Sequence, residues 1–161
     1  MSHEIKSYSK VAVLYGGSSS EREISLITGK AVFDSLQLKG VNAILIDTIE
    51  PFIEALKTER VTHAWIALHG SDGEDGKIQS ILNMLNIKYT GSDPITCSIT
   101  MNKYFTKSIL QSNGFKTPEY MVVSSSSKYE DIVNELSEPF VLKQCSEGSS
   151  IGIFMIESRE Q

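Results

Sequence analysis

Cysteine is scarce in this 161-residue chain: Cys97 and Cys145 are its only two, in no C-x-x-C pair and beside no histidine cluster. That scarcity excludes a disulfide scaffold and the common zinc spacings, and it predicts two reduced, buried thiols in a cytoplasmic protein. Basic excess is lacking as well. Lys and Arg number 15 against 20 Asp and Glu, a net charge of −5. Nucleic acid and anionic membranes both demand a basic face, so neither is expected as a partner. Long apolar runs are missing too, since none approaches the ~18 residues of a membrane span. The start, MSHEIKSYSK, is polar and offers no signal-peptide core. Glycine is absent from the places where nucleotide motifs need it. Counted from Gly16, a G-x-G-x-x-G turn would require glycine at Ser18 and Glu21, and Gly29-Lys30 runs into Ala31 rather than Ser or Thr. Without those glycines, Asp47 at the end of its strand is a weak candidate for a ribose-binding acid.

Three short apolar runs are present: VAVLY (11–15), VNAILID (41–47) and THAWIAL (62–68). Each is nearly continuous in apolar residues and bounded by glycine or polar residues, as strands buried on both faces of a parallel sheet are. Between them lie helical stretches. Ile24, Ile27, Ala31 and Leu38 share one face before Gly40, Pro51 opens PFIEALK, and Ile78, Leu82 and Leu85 share a face after the third strand. The alternation predicts an α/β fold: an open, parallel, Rossmann-like sheet with right-handed crossovers and helices on both faces. Composition shifts after the TGSDP turn (90–94). A helix over KYFTKSILQSNG, an extended PEYMVV, a helix over YEDIVNEL and the strands PFVLK and IFMIE follow, with domains expected at 1–101 and 102–161.

The residues between elements carry the chemistry. In GGSSSEREIS (16–25), Ser20 and Glu23 have capping-box spacing. Glu21 has no capping duty, yet stands at a strand's carboxyl end, where ligands of open α/β sheets bind. A plain helix cap and a binding loop both fit these residues. His69, in LHGSDGEDG (68–76), is either a strand-end polar tip or a ligand contact. Asp72, Glu74 and Asp75 lack EF-hand spacing, so Asp75 and Gly76 are expected to cap the next helix. His3 and His63 attract no functional reading. Lys143 ends a strand and leads into the Gly/Ser loop SEGSSIG (146–152), which suits either a plain hairpin or a phosphate clasp. Lys103 suits either a solvated helix residue or a phosphate contact.

Taken in order, GGSSSEREISL, ALHGSDGEDGKIQSILNMLNIKYTGSD, Met101-Asn102-Lys103 and VLKQCSEGSSIG closely resemble the amino-terminal half of the D-alanine–D-alanine ligases. These are ATP-grasp enzymes of peptidoglycan precursor synthesis, and the resemblance runs from about residue 10 to residue 156. It implies a pre-ATP-grasp domain followed by the first α+β subdomain of the ATP-grasp module. Glu21 then matches the acid near the first D-alanine's ammonium, and His69 the histidine near its carboxylate. Lys103 and Lys143 match lysines on the ATP phosphates. Ser149 and Ser150 match the mobile loop that closes over those phosphates, Ser149 linking to the Glu21 position. ATP, D-alanine, Mg²⁺ (or Mn²⁺) and a homodimer formed through the amino-terminal domain are implied with them. The family's adenine grip and acidic metal ligands have no counterpart before Gln161, so the chain is expected to be a fragment without a complete active site. An exposed apolar face is expected on the small subdomain. Gln144, Ser146 and Asn102 depart from the family's Lys-Pro, Arg and Met-Asp-Lys patterns. A D-Ala–D-lactate or other D-amino-acid ligase, and a non-catalytic amino-acid-binding or interaction domain, are the alternative readings.

Overall fold

Apolar side chains on both sides of the backbone make Val11–Tyr15 (β1) a strand that must be covered from above and below. The computed structural model, which describes residues 10–148 and 152–160, covers it so: Ala12, Val13 and Leu14 are all 0% exposed. β1 pairs in parallel with Ala43–Asp47 (β2) on one side and His63–Ile66 (β3) on the other, and Lys88–Tyr89 (β4) extends β3. The strand order is β2-β1-β3-β4, the open parallel sheet that the alternation predicts. The pair Lys88–Tyr89 was not expected; a two-residue edge strand is too short to show a period against the helix before it.

The connections are Arg22–Leu38 (α1), Phe52–Thr58 (α2) and Lys77–Met84 (α3), with Pro94–Met101 (α4) after the sheet. Ala12 and Leu14 share a core with Leu56 of α2 and Ile78 and Leu82 of α3. Each fully buried leucine there contributes about 1.5–3 kcal/mol of burial. α1 covers the opposite face, where Gly29 packs on Tyr15. Helices therefore lie on both faces.

The seating of α1 corrects the sequence reading twice. Its buried residues are Ser25 and Gly29, whereas Ile24, Ile27 and Leu38 are 56%, 68% and 89% exposed. A Cβ on Gly29 would stand 2.4 Å from the Tyr15 Cβ. The helix thus approaches the sheet too closely for large side chains, and its apolar stripe turns outward. The start also differs, for the helix begins at Arg22 with Glu21 at the N-cap position and no side-chain cap. The Ser20–Glu23 capping box does not form. Ser19 takes over, accepting the Glu21 N–H at its Oγ (3.2 Å) and the Arg22 N–H at its carbonyl (3.1 Å).

The chain divides into two units, Met1–Ser98 and Ile99–Gln161. The second holds Lys103–Ser112 (α5), Tyr129–Leu136 (α6) and the antiparallel pair Phe140–Lys143 (β5) and Ile153–Ile156 (β6). None of its described residues is buried. Phe105, Phe115, Phe154 and Met155 are each more than half exposed, the apolar surface expected of a small subdomain. A two-stranded pair without a buried face is marginal by itself. Pro118–Val123 forms no strand. Both cysteines are free as expected, but only Cys97 is buried; Cys145 is exposed, at the turn after β5. Burial pushes the Cys97 thiol up, and nearby Asp93, Asp75 and Glu74 add to that. No helix among the described residues is long and apolar enough to cross a membrane.

Candidate functional site

Strand order fixes where a ligand can approach the first unit. The connection after β1 runs to β2 and the connection after β3 runs to β4, in opposite directions across the sheet. That reversal opens a crevice at the carboxyl ends of β1 and β3, the place where open α/β sheets bind ligands. The two loops bordering it are 16–21 and 67–76, which hold Glu21 and His69.

The loops are tied to each other by hydrogen bonds. Ser25 Oγ, fully buried, accepts the Gly16 N–H (2.9 Å) and donates to the Ala67 carbonyl (2.8 Å), joining the ends of β1 and β3. Ser19 Oγ donates to the His69 carbonyl (2.7 Å) and Ser18 Oγ to Asp72 Oδ2 (3.2 Å). The Glu21 carboxylate lies against Gly70, whose φ is +67°; a Cβ there would stand 2.9 Å from Glu21 Oε2. The His69 ring is half-buried, with Nε2 3.2 Å from Thr28 Oγ1 and Nδ1 3.9 Å from Glu74 Oε1. A carboxylate and an imidazole thus flank one crevice, a pair able to hold the two charged ends of an amino acid.

Asp47, considered from sequence as a ribose acid, has another partner. Arg22 grips it with two bonds, Nη1–Oδ1 at 3.0 Å and Nη2–Oδ2 at 2.6 Å. Asp47 Oδ1 also accepts the Gly17 and Ile49 N–H groups (3.2 and 3.1 Å). The Arg22 guanidinium, with these backbone donors, outweighs partial burial and holds the Asp47 carboxyl at about 2. The folded value lies below the ordinary 3.8, so this contribution to stability is complete above about pH 4 and is lost as pH falls toward 2. Acid titration of unfolding should show about 1–2 kcal/mol of it disappearing over that window, and Asp47→Asn should flatten the same stretch of the curve.

The 70–77 loop is held by its own acids. Asp75 Oδ2 accepts the Asp72 N–H (3.1 Å) and Oδ1 the Lys77 N–H (3.2 Å), while Lys77 Nζ reaches Asp72 (2.7 Å) and Asp75 (3.0 Å). Burial would raise the Asp75 carboxyl, but those N–H donors and Lys77 lower it on balance. Gly76 takes the N-cap position of α3 in a left-handed conformation, and Asp75 accepts the first helical N–H, the capping role expected of this pair. With Lys77 set between them, Asp72 and Asp75 do not form a cation site. No group of three or more His, Cys, Asp or Glu among the described residues is placed to hold a metal ion.

In the second unit, Asn102 caps α5, its Oδ1 accepting the Tyr104 and Phe105 N–H groups (3.0 and 3.2 Å). That is the N-cap duty for which Asn and Asp are equally suited. Lys103 follows. Its backbone N–H donates to the Cys145 carbonyl (2.9 Å) and its ammonium to the Glu147 carbonyl (2.5 Å). Lys103 therefore sits against the start of the Gly/Ser loop, 44 positions later at Glu147. Lys143 ends β5, exposed, at the mouth of the same loop. Gln144 packs over Gly152, whose Cβ would stand 2.9 Å from Gln144 Nε2. Ser149 and Ser150 lie outside the described residues. Sequence reasoning missed Thr28 and the Arg22–Asp47 pair. Their partners lie 41 and 25 positions away, and only the position of Asp47 at a strand's carboxyl end hinted at a role.

Comparison with known proteins gives one answer. Residues 47–92 match the family described as D-ala D-ala ligase N-terminus. The chain is 41% identical over 158 residues to D-alanine–D-alanine ligase B of Pseudomonas putida, covering 98% of this chain and 50% of that protein. To D-alanine–D-alanine ligase of Dichelobacter nodosus it is 46% identical over 154 residues, 94% of this chain and 50% of the relative. Its fold superposes on the crystal structure of D-alanine–D-alanine ligase from Bacillus anthracis with a TM-score of 0.82 at 32% identity, covering 94% of this chain and 50% of that one. The same enzyme complexed with ATP gives 0.80 at 30% identity. The chain spans about half the length of the curated relatives it matches.

Proposed function

We propose that this chain, which is similar in sequence and fold to about half the length of the D-alanine–D-alanine ligases it matches, supplies the amino-terminal half of an ATP-dependent ligase joining two D-alanines for peptidoglycan precursors in the cytoplasm. The observation that carries the proposal is the Glu21 carboxylate set against Gly70 beside His69 in the β1/β3 crevice. Glu21 holds the ammonium of the first D-alanine and His69 lies by its carboxylate.

ATP transfers its terminal phosphoryl group to that carboxylate, forming an acyl phosphate and ADP. The amine of a second D-alanine attacks the acyl carbon, losing a proton. The tetrahedral adduct then collapses, breaking the bond to phosphate and leaving the dipeptide. Lys103 and Lys143 supply positive charge to the phosphates, and the loop carrying Ser149 and Ser150 covers them. This is catalysis by positioning and charge neutralisation, with water kept from an acyl phosphate it would hydrolyse. Mg²⁺ accompanies ATP in this reading, and none of the described residues of this chain is assigned to hold it. The test is phosphate release from Mg·ATP by the longest gene product that contains this sequence. Release dependent on D-alanine is expected, and release indifferent to D-alanine would end the reading.

The same reading includes a homodimer formed through the first unit. The outward stripe of α1, with Ile24, Ile27 and Leu38 exposed, is the surface proposed for the contact. Ile27→Glu should shift sedimentation from dimer to monomer at unchanged thermal stability; a dimer that survives the substitution would place the contact elsewhere.

A further inference from the structure

We propose that Arg22 and Asp47 are positioning residues for the Glu21 carboxylate: a clasp between α1 and the end of β2 that sets how α1 is turned at the mouth of the crevice. The inference rests on the amino-acid reading above, but its geometry can be tested apart from it.

Glu21 stands at the N-cap position and Arg22 opens the helix, and the two neighbouring side chains leave the chain toward different strands. Arg22 points to the β2 side. Its planar fork meets both Asp47 oxygens, and Nη1 also donates to the Gly17 carbonyl (2.8 Å). Glu21 points to the β3 side, against Gly70. Fixing one direction fixes the other. Ser19 holds the backbone of this first turn, accepting the Glu21 N–H at its Oγ and the Arg22 N–H at its carbonyl, and the clasp adds the side-chain grip on the β2 side.

The clasp also grips the loop before Glu21. Gly17 is bound at both ends, its N–H by Asp47 Oδ1 and its carbonyl by Arg22. Gly16, with φ at +73°, leaves no space beside the pair: a Cβ there would stand 2.4 Å from Asp47 Oδ1 and 2.6 Å from Arg22 Nη1. Loop, helix start and strand end are thus one interlocked piece. Arg22 and Asp47 act through Glu21, since the bonds of the pair are to each other and to the backbone of the loops beside it. A lysine at position 22 would keep the charge but lose the paired bonds, because an ammonium is a single point donor.

The experiment uses the 161-residue chain with Arg22→Lys and Asp47→Asn, observed by NMR and titrated with D-alanine. In the unaltered chain a nuclear Overhauser contact between Gly70 Hα and the Glu21 side chain is expected. Both variants should keep the Leu14–Ile46 contacts of the β1–β2 pair, lose the Gly70–Glu21 contact, and bind D-alanine about tenfold more weakly. A Gly70–Glu21 contact and a D-alanine affinity that survive both substitutions would overturn the proposal, as would rescue of both by the lysine. If the unaltered chain bound no D-alanine while the Gly70–Glu21 contact still vanished in both variants, the amino-acid reading would fall and the positioning of Glu21 by the clasp would stand.

Discussion

Gly70→Ala should raise the D-alanine KM of the longest gene product by about tenfold or more while costing the fold only about 1–2 kcal/mol. Two effects of one methyl group must be separated. The first is conformational, since φ at +67° lies in the left-handed region that side chains avoid. The second is positional: the new Cβ would stand 2.9 Å from Glu21 Oε2 and 3.7 Å from the Ser19 Cβ. The nearer atom is the end of a flexible side chain, so the carboxylate moves rather than the backbone. Gly40→Ala isolates the first effect, because φ there is +72° with nothing within 4 Å of the added atom. Both variants should lose similar stability, and only Gly70→Ala should lose D-alanine. Equal Michaelis constants in the two variants would remove Glu21 from the amino-acid site.

Gly29→Ala should destabilise the first unit by about 1–3 kcal/mol, opposite in sign to what helix propensity predicts. Within a helix, alanine is favoured over glycine by about 0.8–1 kcal/mol. Here the added Cβ would stand 2.4 Å from the Tyr15 Cβ and 2.9 Å from its Cγ. Tyr15 is held in β1 between β2 and the approach of α1, so relief requires α1 to move away. That movement would lengthen the Ser25 bonds to Gly16 and Ala67, which are buried and cannot turn to water. Overpacking therefore outweighs propensity. Thermal melts of the first unit should fall by roughly 4–8 °C for each kcal/mol lost; a rise in the melting temperature would show that α1 is not seated on Gly29.

The same seating explains what the sequence could and could not disclose. β1, β2 and β3 were legible as short apolar runs bounded by turn residues; β1 is covered on both faces, with Val13 and Leu14 fully buried on opposite sides, whereas β3 leaves Trp65 40% exposed. α1 was legible as a helix but not in its orientation. A hydrophobic stripe normally marks the buried face, yet here the inner face is Ser25 and Gly29, chosen for close approach and for hydrogen bonds to strand ends. Nothing in periodicity distinguishes a stripe that faces the sheet from one that faces outward. Glu21 and His69 could be singled out because each follows a strand end by only a few residues. Thr28, Arg22 and Asp47 acquire their roles only through pairings that the topology creates. Lys103 is the intermediate case: its place at a helix start was readable, while its bond to the Glu147 carbonyl needed the hairpin to fold back.

The central claim is that the crevice between β1 and β3 receives D-alanine through Glu21. Its most direct test is a titration of the ¹⁵N-labelled 161-residue chain with D-alanine, following backbone amides. Saturable movement is predicted for Gly17, Glu21 and Gly70, with β5 and β6 unmoved, and Glu21→Gln should abolish it. Amides at these three positions that stay still up to the solubility limit of D-alanine, or that move equally in Glu21→Gln, would contradict the account.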